Sequence, residues 1–214
     1  MLKTGRVGVA ARAGHDLTIE VTNWSAVIEV PAEDAGGVTA ATVSADLDLG
    51  SLVVREGTGG VKPLNDSDRA DIKKTIGGIL GTGTATFTSS RIIRTGATGG
   101  AIEGTFTLNG KSQPVRLQVT EPAPGHYRGS ATILQTAFGL KPYTGFFGAL
   151  KLKDEVGVEF EVDLDRAASG LARDELTSGQ ASFDGGDHLG ERPKVDVFQA
   201  GHRDHATGAD SHPP

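Results

Sequence analysis

GTFTLNGKSQPVRLQV, residues 104–119, has the pattern of a β-hairpin. Apolar and polar residues alternate on both sides of Asn109-Gly110, which is the preferred pair for a two-residue turn between antiparallel strands. An alternation with a period of two turns one face of each strand toward a core and the other toward solvent. This stretch therefore predicts an antiparallel sheet with one buried face.

The same alternation recurs on both sides of the hairpin, from residue 3 to residue 164. It is clearest in residues 43–49, where Val and Leu alternate with Ser and Asp. In residues 17–21 the apolar positions are odd-numbered, whereas from Trp24 to residue 30 they are even-numbered. A strand that keeps one face inward through such a change must bend or carry a bulge, and bent strands are what closure of a barrel requires.

One helix is predicted, over residues 67–80. Asn65, Asp66 or Ser67 can cap its first turn, and Ile72, Ile76, Ile79 and Leu80 recur at helical spacing. The apolar stripe is narrow, so we expect the helix to lie over the barrel as a lid or plug. The predicted fold class is all-β: an antiparallel β-barrel of about eight strands with one lid helix.

Composition excludes several classes of function. The chain has 214 residues and no cysteine, which rules out disulfides, thiolate metal sites and a cysteine nucleophile. A net charge of −6 argues against nucleic acid as a partner. No apolar run is long enough for a membrane span, and the start lacks the apolar run of a signal peptide. We expect a cytoplasmic protein, exported only if the true start lies upstream.

The chain is predicted to divide into a barrel domain, residues 1–165, and a polar C-terminal tail, residues 166–214. The tail is rich in Gly, Ser, Asp, His and Pro, a composition typical of disorder. Four of its histidines could collect a metal ion together with Asp204, but their spacing matches no closed four-ligand site. These histidines are His188, His202, His205 and His212. We therefore predict no metal site and no cofactor.

The hairpin and the segment 137–164 together resemble the YceI-like family. The matching residues are Gly104, Leu108, Gly110, Pro114 and Val115 in the hairpin, Phe138 and Gly139 in a turn, and Asp154 and Val156 at the start of the last strand. The resemblance implies an extended lipocalin-like barrel that binds a polyisoprenoid or similar amphiphile, and it implies that two copies can pair as a homodimer. Gly81, Gly83 and Thr84 stand where the family usually has a proline.

The barrel interior is the expected ligand site. Small residues at several strand positions, among them Ala45, Ala85 and Ala149, leave volume that a chain ligand could fill. We expect large apolar side chains to line it: Trp24, Phe87, Phe106, Leu134, Phe138, Phe146, Phe147 and Phe160. Each of these residues could equally belong to a packed core, because apolar residues at strand spacing usually do.

No catalytic residue is predicted. His15 beside Asp16 fits a turn, His126 fits the start of a strand, and the acids at 159, 161, 163 and 165 fit the solvated face of the last strand. The leading hypothesis is a non-enzymatic protein that binds or carries an isoprenoid. An interaction module with a filled core and a lipid-modifying enzyme are the alternatives, and the latter needs a polar cluster at the barrel mouth.

Overall fold

The computed structural model describes residues 1–30, 40–164 and 194–200, the last seven and residue 30 by their backbone alone. Its elements, in chain order, are β1 (Leu2–Val7), β2 (Asp16–Val21), β3 (Trp24–Val30), β4 (Thr42–Asp48), β5 (Leu52–Thr58), α1 (Asp66–Leu80), β6 (Thr84–Arg94), β7 (Gly99–Leu108), β8 (Lys111–Ala123), β9 (His126–Leu134), β10 (Thr144–Gly145), β11 (Leu150–Asp163) and β12 (Lys194–Ala200). Short 3₁₀ turns lie at residues 11–13, 49–51, 135–138 and 146–148.

The strands form one curled antiparallel sheet in the order β12-β3-β4-β6-β7-β8-β9-β11-β1-β2-β5, with β10 beside β11. Because β2 runs into β3 and β4 runs into β5, the described part of residues 1–164 contains eight long strands. The two bent strands turn the same corner together, where Asp48 N donates to Asn23 O at 3.1 Å and Thr22 N donates to Ser51 O at 3.4 Å. The predicted fold class is confirmed, and the bend lies where the apolar positions change parity.

The hairpin that decides the fold has the expected register. Gly104 pairs with Val115 and Leu108 with Lys111. Asn109 and Gly110 both have positive φ, 50° and 72°, as the favoured two-residue turn between twisted strands requires.

Helix α1 begins with a capping box. Asn65 Oδ1 accepts a hydrogen bond from Asp68 N at 2.8 Å, and Asp68 Oδ2 accepts one from Asn65 N at 3.1 Å. Arg69 Nη1 then donates to the carbonyls of Val54 and Arg55 in β5. Since β5 is the last strand of the sheet, the helix supplies hydrogen bonds to an edge that no other described strand pairs with.

One end of the barrel carries the helix and most of the longer turns. The strand pairs that end there are β1 with β11, β2 with β5, β4 with β6, and β7 with β8. We call this the capped end. It holds the turn after β1, the segment from β5 through α1 to β6, and the segment between β9 and β11.

Two groups of buried side chains form the core at this end. Leu17, Ile19, Val21, Leu52 and Val54 form the first, on the bent strands beneath α1. The second consists of Leu49, Ala85, Leu108 and Phe138. No helix in the described ranges has the length and apolar character needed to cross a bilayer.

The end of the barrel has one strand fewer than the alternation predicts, and the predicted tail contains one strand. The apolar positions in residues 147–153 and, after Asp154 and Glu155, in residues 156–164 predict two strands, but the structure has one, β11, which begins after a 3₁₀ turn at 146–148. Residues 194–200, within the predicted tail, form β12 antiparallel to β3. The rest of that tail, with its four histidines and Asp204, lies outside the described residues, as does Asp165.

Candidate functional site

An apolar cavity lies at the capped end, between the inner face of the sheet and α1. Its volume is about 140 Å³. On the same measure, a cavity needs roughly 10–15 Å³ to hold one water molecule. All the space between its lining atoms, including the part continuous with solvent, is about 990 Å³. The interior at this end is therefore not filled by side chains.

The lining is almost wholly aliphatic. Three residues come from α1, namely Ile76, Ile79 and Leu80. The others come from the strands and from the turns that join them: Leu2, Thr4, Leu17, Ile19, Val21, Leu47, Leu49, Leu52, Ala85, Phe106, Leu108, Ile133, Gln135, Leu140, Tyr143, Leu152, Val156 and Val158. None of these side chains carries a charge, so the cavity suits an uncharged apolar chain.

Three lining residues carry polar groups. Thr4 Oγ1 accepts a hydrogen bond from Leu17 N at 3.1 Å. Gln135 Nε2 donates to Lys153 O at 2.8 Å, and the Tyr143 side chain is 40% exposed. Gln135 and Tyr143 both belong to the segment between β9 and β11, so this segment forms a polar rim to an apolar chamber.

Hydrogen bonds hold the rim segment in place. Thr136 donates from its N to Asp154 Oδ1 at 2.8 Å and from its Oγ1 to Asp154 Oδ2 at 2.5 Å. The Thr136 side chain is the main reason that the pKa of Asp154 lies below its ordinary value, and the Thr136 backbone N–H adds to the effect. Gln113 Nε2 donates to Ala137 O at 3.0 Å from the neighbouring strand β8. The rim is thereby tied to two strands.

Of the eight residues expected to line the interior, Phe106 lies in the cavity wall. Phe138 is buried behind it, with the two rings edge to face and 5.5 Å apart. Phe87 is buried opposite Phe106 in the β6–β7 register, and Trp24 is half-buried against the Leu17 cluster. These last three residues lie beside the cavity, buried or half-buried, but are not part of its lining.

The other four lie elsewhere. Leu134 is largely exposed, because its neighbour Ile133 holds the inward position on β9. Phe160 shares the inward parity of Val158 but lies farther along β11, where its ring fills the space over Gly129. Phe146 and Phe147 are exposed at the turn before β11. That these four bind a ligand stays a prediction that the cavity does not support.

The aliphatic lining was not predicted, although the sequence carries a signal for it. Leu17, Ile19 and Val21 share one parity on β2, and Val156 and Val158 share one on β11. Selecting apolar residues by their alternating positions along each strand, rather than by aromatic character, identifies these positions.

The polar residues considered for chemistry lie apart from the cavity lining. His15 Nε2 hydrogen-bonds Lys62 O at 2.8 Å, and His126 Nε2 lies 2.8 Å from Glu161 Oε1. Glu159 and Asp163 share the outer face of β11 with Glu161. In the part of the chain that the structure describes, no three His, Asp or Glu side chains are grouped so that they could hold a metal ion.

The chain is similar to known proteins over its barrel. Residues 4–164 match the model of the YceI-like domain. Burkholderia cenocepacia BcnA, a crystal structure, is 20% identical with a TM-score of 0.45, over 68% of this chain and 98% of that one. The Campylobacter jejuni YCEI protein is 16% identical with a TM-score of 0.44, over 68% of this chain and 82% of that one. No curated protein sequence matches this chain.

Proposed function

Because this chain belongs to the YceI-like family, we propose that it binds an isoprenoid, or a similar amphiphile with one apolar chain, in the cavity beneath α1. The family is known for binding polyisoprenoids. The observation that carries the proposal is the uncharged aliphatic lining of a cavity that side chains leave unfilled. The family resemblance names the ligand class, and the lining is the reason to place it here.

The distribution of polar groups favours one orientation of the ligand. Each methylene that leaves water for the cavity contributes about 0.8 kcal/mol, so a chain can bind tightly without polar contacts. A headgroup would have to stay at the rim, where Gln135 and Tyr143 offer an amide and a hydroxyl. We therefore place the apolar chain inside and the headgroup at the rim.

Helix α1 is the proposed lid. It contributes Ile76, Ile79 and Leu80 to the lining, yet none of its residues is buried. Its movement away from the sheet would expose Ile72, Ile76 and Leu80, which pack on the Leu17 cluster, but would break no strand pairing. Opening there costs less than parting two strands of the sheet.

We propose a binding function and not a catalytic one. An enzyme acting on the bound amphiphile would need a nucleophile or an acid and base facing the ligand. The polar side chains of the lining are those of Thr4, Gln135 and Tyr143. The Thr4 hydroxyl already accepts a hydrogen bond from a backbone N–H.

The first test is native mass spectrometry of the gently purified protein, with solvent extraction and identification of the bound molecule. A stoichiometric prenyl lipid or quinone supports the proposal. Farnesol is then titrated into ligand-free protein, with the emission of the single tryptophan, Trp24, as the readout. A barrel that is empty as purified and also refuses farnesol overturns the proposal in favour of an interaction module.

A variant locates the ligand. Val158→Phe places a ring in the cavity and should weaken farnesol binding about tenfold, because the ring displaces methylenes of the ligand. Val162→Phe is the matched control, with the same change on the same face of β11 but outside the lining. Equal loss of affinity in the two variants, at equal thermal stability, would place the ligand elsewhere.

A further inference from the structure

Two adjacent phenylalanines project into solvent at the turn before β11. The exposed fraction is 60% for the Phe146 side chain and 111% for Phe147. Val9, 97% exposed, lies in the neighbouring turn after β1, and Ala10 N in that turn donates to Ala149 O at 3.0 Å. We call Phe146, Phe147 and Val9 the apolar tip. Three large side chains exposed on two joined turns mark a surface that a partner covers.

The backbone of the tip explains why these rings point outward. Phe146 and Phe147 have φ of 49° and 53°, in the left-handed region that bulky residues rarely adopt. Asn109 is the only other non-glycine residue with positive φ in the described ranges, and it lies in a tight hairpin turn. Unfavourable backbone conformations of this kind concentrate at functional sites.

The tip adjoins Tyr143, a lining residue that is 40% exposed and that we take to mark the mouth of the cavity. Tyr143 lies three residues before Phe146 and is part of the polar rim. Its carbonyl accepts a hydrogen bond from Leu152 N at 3.0 Å, and the next two residues pair with the start of β11. A surface that covers the tip would therefore lie next to the mouth.

Cations outnumber acidic side chains on the segments that carry the tip, where the nearest carboxylates in sequence are those of Asp16 and Asp154. Residues 136–153 contain Lys141, Lys151 and Lys153 and no acidic residue, whereas the whole chain carries −6. Arg12 adds an exposed cation in the turn that holds Val9. Aromatic side chains fringed by cations are typical of segments that bind the surface of an anionic bilayer.

We propose that the apolar tip docks the barrel on an anionic lipid bilayer, with Phe146 and Phe147 in the interfacial region and the lysines against the headgroups. The cavity mouth then faces the bilayer, from which a single-chain amphiphile can enter without crossing water. The choice of a bilayer as the partner rests on the proposed function, because such a ligand dissolves in membranes.

The test is co-sedimentation of the full chain with phosphatidylcholine vesicles, with and without phosphatidylglycerol. The wild type should bind the mixed vesicles, and more weakly at high salt. Phe146→Ser/Phe147→Ser should reduce vesicle binding by about tenfold or more for each ring lost. The matched control is Val61→Ser, which removes an exposed apolar side chain outside the tip and should bind as the wild type does.

Farnesol titration without vesicles, on the same proteins, separates the two proposals. The double variant should take up farnesol as the wild type does, because neither ring lines the cavity. Failure of the wild type to bind vesicles overturns docking whatever the farnesol result. Failure to bind farnesol overturns the proposed function alone, and a double variant that loses farnesol uptake contradicts the separate role of the tip. A wild type that dimerises through these rings and ignores vesicles assigns the tip to a second copy.

Discussion

The conformation of Phe147 carries a free-energy cost that its contacts do not offset. Its ring is fully exposed, and its φ of 53° costs an L-residue roughly 1–2 kcal/mol relative to an extended or right-handed backbone. Asparagine tolerates this region much better. Phe147→Asn should therefore raise the free energy of unfolding by about 1 kcal/mol, measured by urea titration.

The control for this prediction is Val61→Asn, also exposed but without a positive φ, which should leave stability unchanged. A less stable Phe147→Asn would show that the ring contributes to folding after all. If the variant is more stable and binds vesicles less well, then Phe147 lowers the stability of the protein and contributes to vesicle binding.

Single residues also set the limit of what the sequence could predict about the site. Phe106 was predictable because it alternates on a strand that the Asn109-Gly110 turn places in register. The outward position of Leu134 was not predictable, since a shift of one residue along a strand moves a side chain to the other face of the sheet. Ile133 lies inward instead. Phe146 and Phe147 read as strand residues by composition, and only a backbone with positive φ turns both of them outward.

Helix α1 is positioned by its first turn. The sequence left three candidate caps, and Asn65 is the cap because Asp68 stands three residues later and closes the capping box. Asn65→Ala should lower the free energy of unfolding by about 1 kcal/mol. It should also speed the release of farnesol, followed by stopped-flow emission of Trp24, because a frayed lid opens more often.

Ser67→Ala is the control for the lid, as a change in the same turn of α1 at a position outside the capping box. If Asn65→Ala is destabilised but releases farnesol at the wild-type rate, then α1 is not the gate. The ligand would in that case leave beside the rim segment.

The strands show which parts of the fold are encoded locally. The hairpin and the bend between β2 and β3 follow from a turn pair and a change of parity, both of which lie within a few residues. The continuity of β11 over residues 150–163 depends on β9 and β1, which pair with β11 on either side. Among the described strands, β12 pairs with β3 alone, which is far away in sequence, although residues 194–197 alternate with a period of two.

The whole molecule is acidic, so its distribution of charge must orient it if it is to bind an anionic surface. A net charge of −6 repels such a surface, so productive contact requires the basic end to approach first. Lys141→Glu/Lys151→Glu should weaken binding to the mixed vesicles by at least about fivefold for each residue, since a basic residue near such a surface contributes about 1 kcal/mol and the new glutamate is repelled as well. Arg91→Glu/Arg94→Glu is the control. It changes the net charge to −10, as the lysine variant does, but the two arginines lie toward the end of β6 that is away from the tip.

If the two variants lose vesicle binding equally, then net charge governs the association and the tip does not direct it. If only the lysine variant loses binding and both take up farnesol equally, then one end of the barrel finds the membrane and the cavity behind it holds the ligand.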